Sequence, residues 1–308
     1  MKTKEYSFKS SSGLCDIKAW QFAPEGDVKA VIQIHHGMAE HARRYKNFIK
    51  AFTDMGYAVF IHDMINHGLS NTDTNDLGYF GENDGNKKLT ADAQKVIDIA
   101  KEEYPDKKLI IAGHSMGSFI MRNYINDYGN HFDAAMFIGT AGPNPMNDLG
   151  ISLVKLLKKV KGSKSRSKLI DKLSVGAYDK EFEHRTKYDW GISDPKSVDE
   201  YCADPYCGFS FTLAGYLDLF KLLKNCNIDA WYDNVDKNVP VLLLSGDKDP
   251  VGDFGKGVTF IYDKLIKTGH NAYIKLYPGD RHEILNEVDR DNVYAYIDEW
   301  IQTNVLNK

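Results

Sequence analysis

The feature that most restricts how this chain folds is a set of short, almost unbroken apolar runs. They read AVIQIHHG (30–37), AVFIHDM (58–64), KLIIAGHS (108–115), AAMFIGTAG (134–142), PVLLLSGD (240–247) and AYIKLYPGD (272–280). A strand with one face in water alternates apolar and polar residues, whereas a strand covered on both faces need not, and most of these runs do not. Between them lie amphipathic stretches. RYKNFIKAFTDMG spaces Tyr45, Phe48, Ile49 and Phe52 by three or four and stops at Gly56. LTADAQKVIDIAKEEYP is expected to start at Thr90 as its cap, to present Ala93, Val96, Ile97 and Ala100 on one face, and to stop at Pro105. GVTFIYDKLIKTG and NVYAYIDEWIQTNV repeat the pattern. Strand alternating with helix predicts an α/β fold with a mostly parallel central sheet covered by helices on both faces. At the start, KEYSFKS and CDIKAWQF flank a Ser-Ser-Gly turn and predict an antiparallel hairpin.

Residues 143–225 interrupt this rhythm. They hold PNPMNDLG, a lysine-rich segment and DPKSVDEYCADPYCGFSFTLAGYLDLFKLL, with no buried-strand run. The expected organisation is a core of residues 1–142 and 226–308 with a helical cap, or lid, of residues 143–225 inserted between two strands.

Composition removes several functions. Of 308 residues, 43% are hydrophobic and 27% charged, ordinary for a globular protein, and a net charge of −4 argues against a nucleic-acid partner. Cys15, Cys202, Cys207 and Cys226 form no CxxC pair, so they are read as reduced thiols without zinc. His35, His36, His41, His62, Asp63 and His67 are numerous, but no HExxH spacing appears and no metal is expected. GDFGKG (252–257) lacks the spacing of a phosphate loop, and no cofactor is expected. No apolar run approaches the roughly 18 residues of a membrane span, and MKTKEYSFKSSSG has no signal-type apolar region, so a cytoplasmic protein is the expectation. Oligomeric state is not legible.

The chemistry centres on GHSMGS (113–118). Ser115 follows the run KLIIAGH and precedes the helix-like SFIMRNYINDYG, the strand–turn–helix setting in which a G-x-S-x-G serine becomes a nucleophile. Gly113 and Gly117 keep the tight turn free of Cβ atoms. A loop serine capping the helix is the plainer alternative. A serine needs a base and an acid that orients it, in the chain order Ser, acid, His. SGDKDPVGD offers Asp247, Asp249 and Asp253; Asp249, a few residues past the strand end, is favoured, with Asp247 as a turn-capping competitor. YPGDRHEIL places His282 in the loop after the last strand. The backbone N–H groups of Met38 and Met116 are expected to form the oxyanion hole.

HGMAEHARRY (36–45), HDMINHGLS (62–70), GHSMGS, SGDKDPVG (245–252) and YPGDRHEILNE (277–287) together resemble the α/β-hydrolase family, and within it the monoacylglycerol lipase and lysophospholipase-like serine hydrolases. The resemblance spans most of the chain. It implies Ser115 as nucleophile, Asp249 as acid, His282 as base and the Met38 and Met116 amides as oxyanion hole, the same residues as above. It also implies hydrolysis of a small-molecule acyl ester of the monoacylglycerol or lysophospholipid type. A short-chain or aromatic carboxylesterase, a proline-aminopeptidase-type peptidase and a non-catalytic ligand-binding member are the alternatives. Two positions depart from the family pattern. Asn66 stands where Gly is usual, and Asn is the residue that best tolerates a left-handed backbone. Ser118 replaces a frequent third Gly and is expected to affect helix packing more than chemistry.

LGISLVKLLKKVKGSKSRSK is basic and amphipathic, with Leu153, Leu156, Leu157 and Val160 expected on one face and lysines on the rest. It reads either as a cap helix packed over the pocket or as a weak contact with a membrane surface.

Overall fold

The computed structural model describes residues 1–307. Its strands are β1 (Lys2–Lys9), β2 (Asp16–Ala23), β3 (Val31–His35), β4 (Ala58–His62), β5 (Leu109–His114), β6 (Ala134–Ile138), β7 (Val241–Gly246) and β8 (Ala272–Tyr277). Its α-helices are α1 (Lys46–Asp54), α2 (Gly85–Glu103), α3 (Met116–Tyr128), α4 (Asn147–Lys161), α5 (Lys168–Ser174), α6 (Pro195–Ala203), α7 (Leu213–Asn225), α8 (Asp229–Asn234), α9 (Lys256–Lys267) and α10 (Arg290–Ile301). The strands form one sheet in the order β1-β2-β4-β3-β5-β6-β7-β8. β1 and β2 are the leading antiparallel hairpin, β2 meets β4 antiparallel, and every later pairing is parallel.

The unbroken apolar runs arise because the sheet has a core on each face. Successive side chains of a strand point to opposite faces. In β7, Val241 and Leu243 enter a core with α2, α3 and α9, while Leu242 and Leu244 enter a second core with α1 and α10. Both alternating sets are buried, so both are apolar. Parallel strands also bring their C-terminal ends to one edge, and the loops after β3, β5, β7 and β8 gather there.

Helices α4 to α8 lie between β6 and β7, with no strand among the described residues of that stretch. Two sequence expectations need correction here. First, α2 starts at Gly85 and not at Thr90, which lies one turn inside. The extra turn is held from outside the helix: the Asp218 carboxylate on α7 faces the Asn86 N–H, and a Cβ on Gly85 would come within 2.2 Å of Asp218 Oδ2. A carboxylate at a helix N-terminus satisfies donors that the helix cannot. Second, α4 does not turn Leu153, Leu156, Leu157 and Val160 inward together. Ile151 and Val154 are buried, Leu153 and Leu157 pack beside them, and Leu156 and Val160 are 60% and 73% exposed. The neighbour α7 lies along the Ile151–Val154 side and decides which stripe is covered.

Among the described residues no helix is long and apolar enough to cross a membrane. Burial raises the Asp218 carboxyl from 3.8 to about 6, more than the Asn86 N–H pulls it back. The fold therefore favours the protonated form; its contribution is complete below pH ~4 and is lost as pH rises through about 6. Asp218→Asn keeps an acceptor for Asn86 without the charge. Urea unfolding of both proteins is expected to show the variant gaining about 2 kcal/mol on the wild type between pH 4 and pH 7.

Candidate active site

Ser115 sits between β5 and α3 with φ 52° and ψ −122°, a backbone conformation costly for any residue with a side chain. The two flanking glycines explain how the turn closes. A Cβ on Gly113 would lie 2.3 Å from the Gly117 carbonyl oxygen, and one on Gly117 would lie 2.4 Å from the His35 carbonyl oxygen. The start of α3 thus rests directly on the end of β3. The Ser115 N–H donates to the Ile138 carbonyl at 2.8 Å, which pins the turn to β6. Ser118 is fully buried, and its hydroxyl donates to the Ser115 carbonyl at 2.6 Å, so the residue in the third-glycine position braces the same turn.

Of the three candidate acids, Asp249 meets His282. Its Oδ1 accepts from His282 Nδ1 at 2.9 Å and from the Val251 N–H at 2.8 Å, while Oδ2 accepts from the Ser245 hydroxyl at 3.0 Å. Burial alone would raise this carboxyl, but the His282 charge and these hydrogen bonds outweigh it and hold it below the ordinary range. Asp247 instead accepts from the Gly279 N–H at 2.8 Å, its turn-holding role, and Asp253 is exposed. With Nδ1 committed to Asp249, Nε2 is the His282 nitrogen left for chemistry. Ser115, His282, Met38 and Met116 all line one cavity of about 400 Å³. Among the described residues neither the Met38 nor the Met116 amide donates to the backbone.

The loop carrying Met38 is shaped by residues to which the sequence reading assigned no role. Glu40, 3% exposed, accepts from the Gly37 N–H, from Tyr45 OH at 2.9 Å and from Arg44 Nη1 at 2.9 Å. Arg44 also grips both oxygens of Glu283 at 2.9 and 2.6 Å and lies over the Tyr201 ring. His114 Nδ1 lies 3.3 Å from Glu40, and its Nε2 lies 3.2 Å from the His282 carbonyl. Burial pushes Glu40 up, but the His114 hydrogen bond and the Arg44 charge bring it well below its ordinary value; Glu40 in turn raises His114 against the effect of burial. Glu40 and Arg44 fall four apart inside HGMAEHARRY, an ion-pair spacing visible in the sequence. Their tie to Glu283, distant in the chain, is not visible there.

Asp63 accepts from the Ala42 and Leu69 N–H groups at 2.8 and 2.7 Å and so joins the Met38 loop to the loop after β4. In that second loop Asn66 adopts φ 52°, the left-handed backbone expected of it, and donates to the Tyr79 carbonyl at 2.7 Å. For metal binding, His41, Asp204 and Cys207 bring their donor atoms within 4.8 Å of one another. His41 Nε2 and Asp204 already share a 2.9 Å hydrogen bond, and burial pushes the Cys207 thiol up, away from the thiolate a metal requires.

Because Glu40 is held below its ordinary value, it contributes stability above the usual carboxyl range that is lost as pH falls through it. Glu40→Gln is expected to cost about 3 kcal/mol at pH 7, by removing the buried carboxylate that Gly37, Tyr45, Arg44 and His114 share, and to narrow its deficit against wild type as pH drops below 4.5. Chemical unfolding at pH 7 and pH 4 measures both.

Residues 26–289 match the family model Hydrolase_4, described as serine aminopeptidase, S33. A monoacylglycerol lipase of Mycolicibacterium smegmatis is 26% identical over 98% of this chain and 98% of its own. Human monoglyceride lipase is 25% identical over 90% and 84%. Among solved structures, a thermostable carboxyl esterase from Bacillus coagulans in complex with glycerol superposes with a TM-score of 0.93 at 30% identity, covering 99% of each chain. A monoglyceride lipase variant from Saccharomyces cerevisiae shares the fold with a TM-score of 0.76 at 19% identity. Matched along nearly its whole length, the chain belongs to the serine aminopeptidase S33 family of α/β-hydrolases and is a monoacylglycerol lipase-like serine ester hydrolase.

Proposed function

We propose that this enzyme cleaves acyl esters of the monoacylglycerol or lysophospholipid type with Ser115 as nucleophile, His282 as base and Asp249 as orienting acid. The observation that carries the reading is the 2.9 Å hydrogen bond between the buried Asp249 and His282, which lines the same cavity as the strained Ser115. The Ser115 hydroxyl attacks the ester carbonyl while its proton passes to His282 Nε2. The oxyanion meets the Met38 and Met116 amides, the second at the positive end of α3. Collapse breaks the ester C–O bond, and the proton leaves with the alcohol. Water, activated by His282, then hydrolyses the acyl-enzyme.

An acyl chain as the bound group is supported by the cavity wall, where residues 143–225, which we take as the cap, contribute Leu153, Ile170, Leu219, Phe220 and Leu223. An aminopeptidase needs a carboxylate to receive its substrate's ammonium group. Here Glu40 and Glu283 are both engaged by Arg44, and Asp171 accepts from the Tyr216 hydroxyl. That pairing favours esters over N-terminal peptides.

At the cavity mouth Met146, Leu149 and Leu173 line the pocket and are also 61%, 61% and 62% exposed. Lys172 adjoins Leu173 on α5, and Lys155, Lys158, Lys159 and Lys161 lie along the later part of α4. This supports a weak docking of the cap on anionic lipid, delivering substrate from the membrane surface.

Ser115→Ala is expected to lower p-nitrophenyl ester turnover by about 10⁴-fold or more and to abolish fluorophosphonate labelling. Across p-nitrophenyl esters of increasing acyl length, kcat/KM is expected to rise about two- to fourfold per methylene until the cavity is filled; a flat series would remove the acyl pocket. In cosedimentation, anionic vesicles should retain the protein at low salt and release it as salt rises, and neutral vesicles should retain less. Equal absence from both would end the membrane reading.

A further inference from the structure

His282 is held from the inserted helical stretch as well as from the sheet. Its two chain neighbours are both anchored. On one side, Arg281 donates to the Asp189 carbonyl and to Glu183 at 2.6 Å. On the other, the Glu283 N–H donates to the Gly191 carbonyl at 2.8 Å. Glu287 completes the seat by accepting from the Arg281 N–H at 3.1 Å and from the Ser193 N–H at 2.9 Å. The segment Asp189–Ser193 therefore carries much of the backbone frame of the histidine loop.

That segment also delivers one side chain onto the imidazole. The half-buried Trp190 has its ring centroid 5.3 Å from that of His282, at an interplanar angle of 43°. Its Nε1 donates to the Lys187 carbonyl at 3.2 Å, and Tyr178 packs on it with ring centroids 5.0 Å apart. The imidazole is confined elsewhere by the His114 ring at 4.7 Å and by Gly139, where a Cβ would lie 3.0 Å from His282 Cε1. An indole face within about 6 Å of a cation attracts it through the ring quadrupole.

We propose that Trp190 is a positioning residue for His282: its indole holds the imidazole in line with Asp249 and stabilises the imidazolium formed when Ser115 gives up its proton. The proposal rests on the triad reading above. Groups facing the imidazole from the packed elements are Asp249 on Nδ1, His114 with Glu40 behind it, Glu283 paired to Arg44, and Tyr178. The Tyr178 hydroxyl is pushed up to about 12 by burial and by the Asp249 charge, so it stays neutral through the working range. Trp190 thus contributes a quadrupole and a surface, without a titrating charge of its own.

The test compares wild type, Trp190→Phe and Trp190→Leu in pH profiles of p-nitrophenyl ester hydrolysis. Leu keeps water away from the imidazole but has no π-face. Losing the favoured imidazolium is expected to move the acid limb of kcat/KM to lower pH by about half a unit. It should also lower kcat about three- to tenfold, while Phe stays within about twofold of wild type. Independently, a protonated imidazole against an indole quenches its fluorescence. Wild type should dim as pH falls, with the midpoint of the acid limb, and both Trp190→Phe and His282→Gln should lose that titrating component. A Trp190→Leu profile that superimposes on wild type with unchanged kcat, or a quench that persists in Trp190→Phe, overturns the proposal. If Trp190→Leu does not fold, the fluorescence comparison decides alone. Fluorophosphonate labelling separates the two levels: an unlabelled wild type removes the triad reading, whereas a labelled wild type with an unmoved profile removes only the role of Trp190.

Discussion

The site depends on one close contact between backbones, the start of α3 lying directly on the end of β3. Gly117 has no room for a Cβ above the His35 and His36 carbonyls, and Gly113 has none beneath Gly117. Only with both side chains absent does the strand turn into the helix within one residue, leaving Ser115 at φ 52°. That conformation is unfavourable in isolation, by about 1–3 kcal/mol, and persists because packing on both sides leaves the chain no other path. The same contact aims the positive end of α3 at the cavity and sets the distance to the Met38 loop.

Around this fixed point, three loops from different strands are tied by charge. Glu40 leaves the β3 loop, His114 precedes Ser115, and Glu283 follows His282; Arg44 ties Glu40 to Glu283, and His114 meets Glu40 and the His282 carbonyl. Buried ion pairs are poor sources of net stability because desolvation offsets their attraction. Their value here is geometric, since a bidentate guanidinium tolerates little displacement of either partner. The inserted stretch adds a fourth support. Tyr201 OH and the Gly208 N–H donate to the Ala39 carbonyl at 3.0 and 2.9 Å, and the Gly191 carbonyl takes the Glu283 N–H. The stretch that walls the cavity therefore also bears on the loops that carry Met38 and His282.

Much of this was legible in the chain. The strand runs and their parallel order follow from burial on both faces, which leaves no polar alternation to misread. Ser115, Asp249 and His282 were legible as candidates because each sits just past a strand, at the edge where parallel strands end. Asn66 was legible because few residues accept its backbone. The misreadings share a cause. The first turn of α2 has no good local cap, and Asp218 of α7 supplies the acceptor. The exposed Leu156 and Val160 look like any apolar stripe until α7 is seen lying on Ile151 and Val154 instead.

The sequence by itself determined the alternation of elements, the order of the three candidate residues Ser115, Asp249 and His282, and the absence of Cβ atoms around Ser115, because periodicity and steric exclusion act over a few residues. Only the tertiary structure decided which aspartate meets His282, that Arg44 reaches Glu283, and that Trp190 faces the imidazole. Those contacts join residues from 33 to 239 positions apart. Attraction between such distant groups leaves no local pattern in the chain; it exists only once the sheet has brought their loops to one edge.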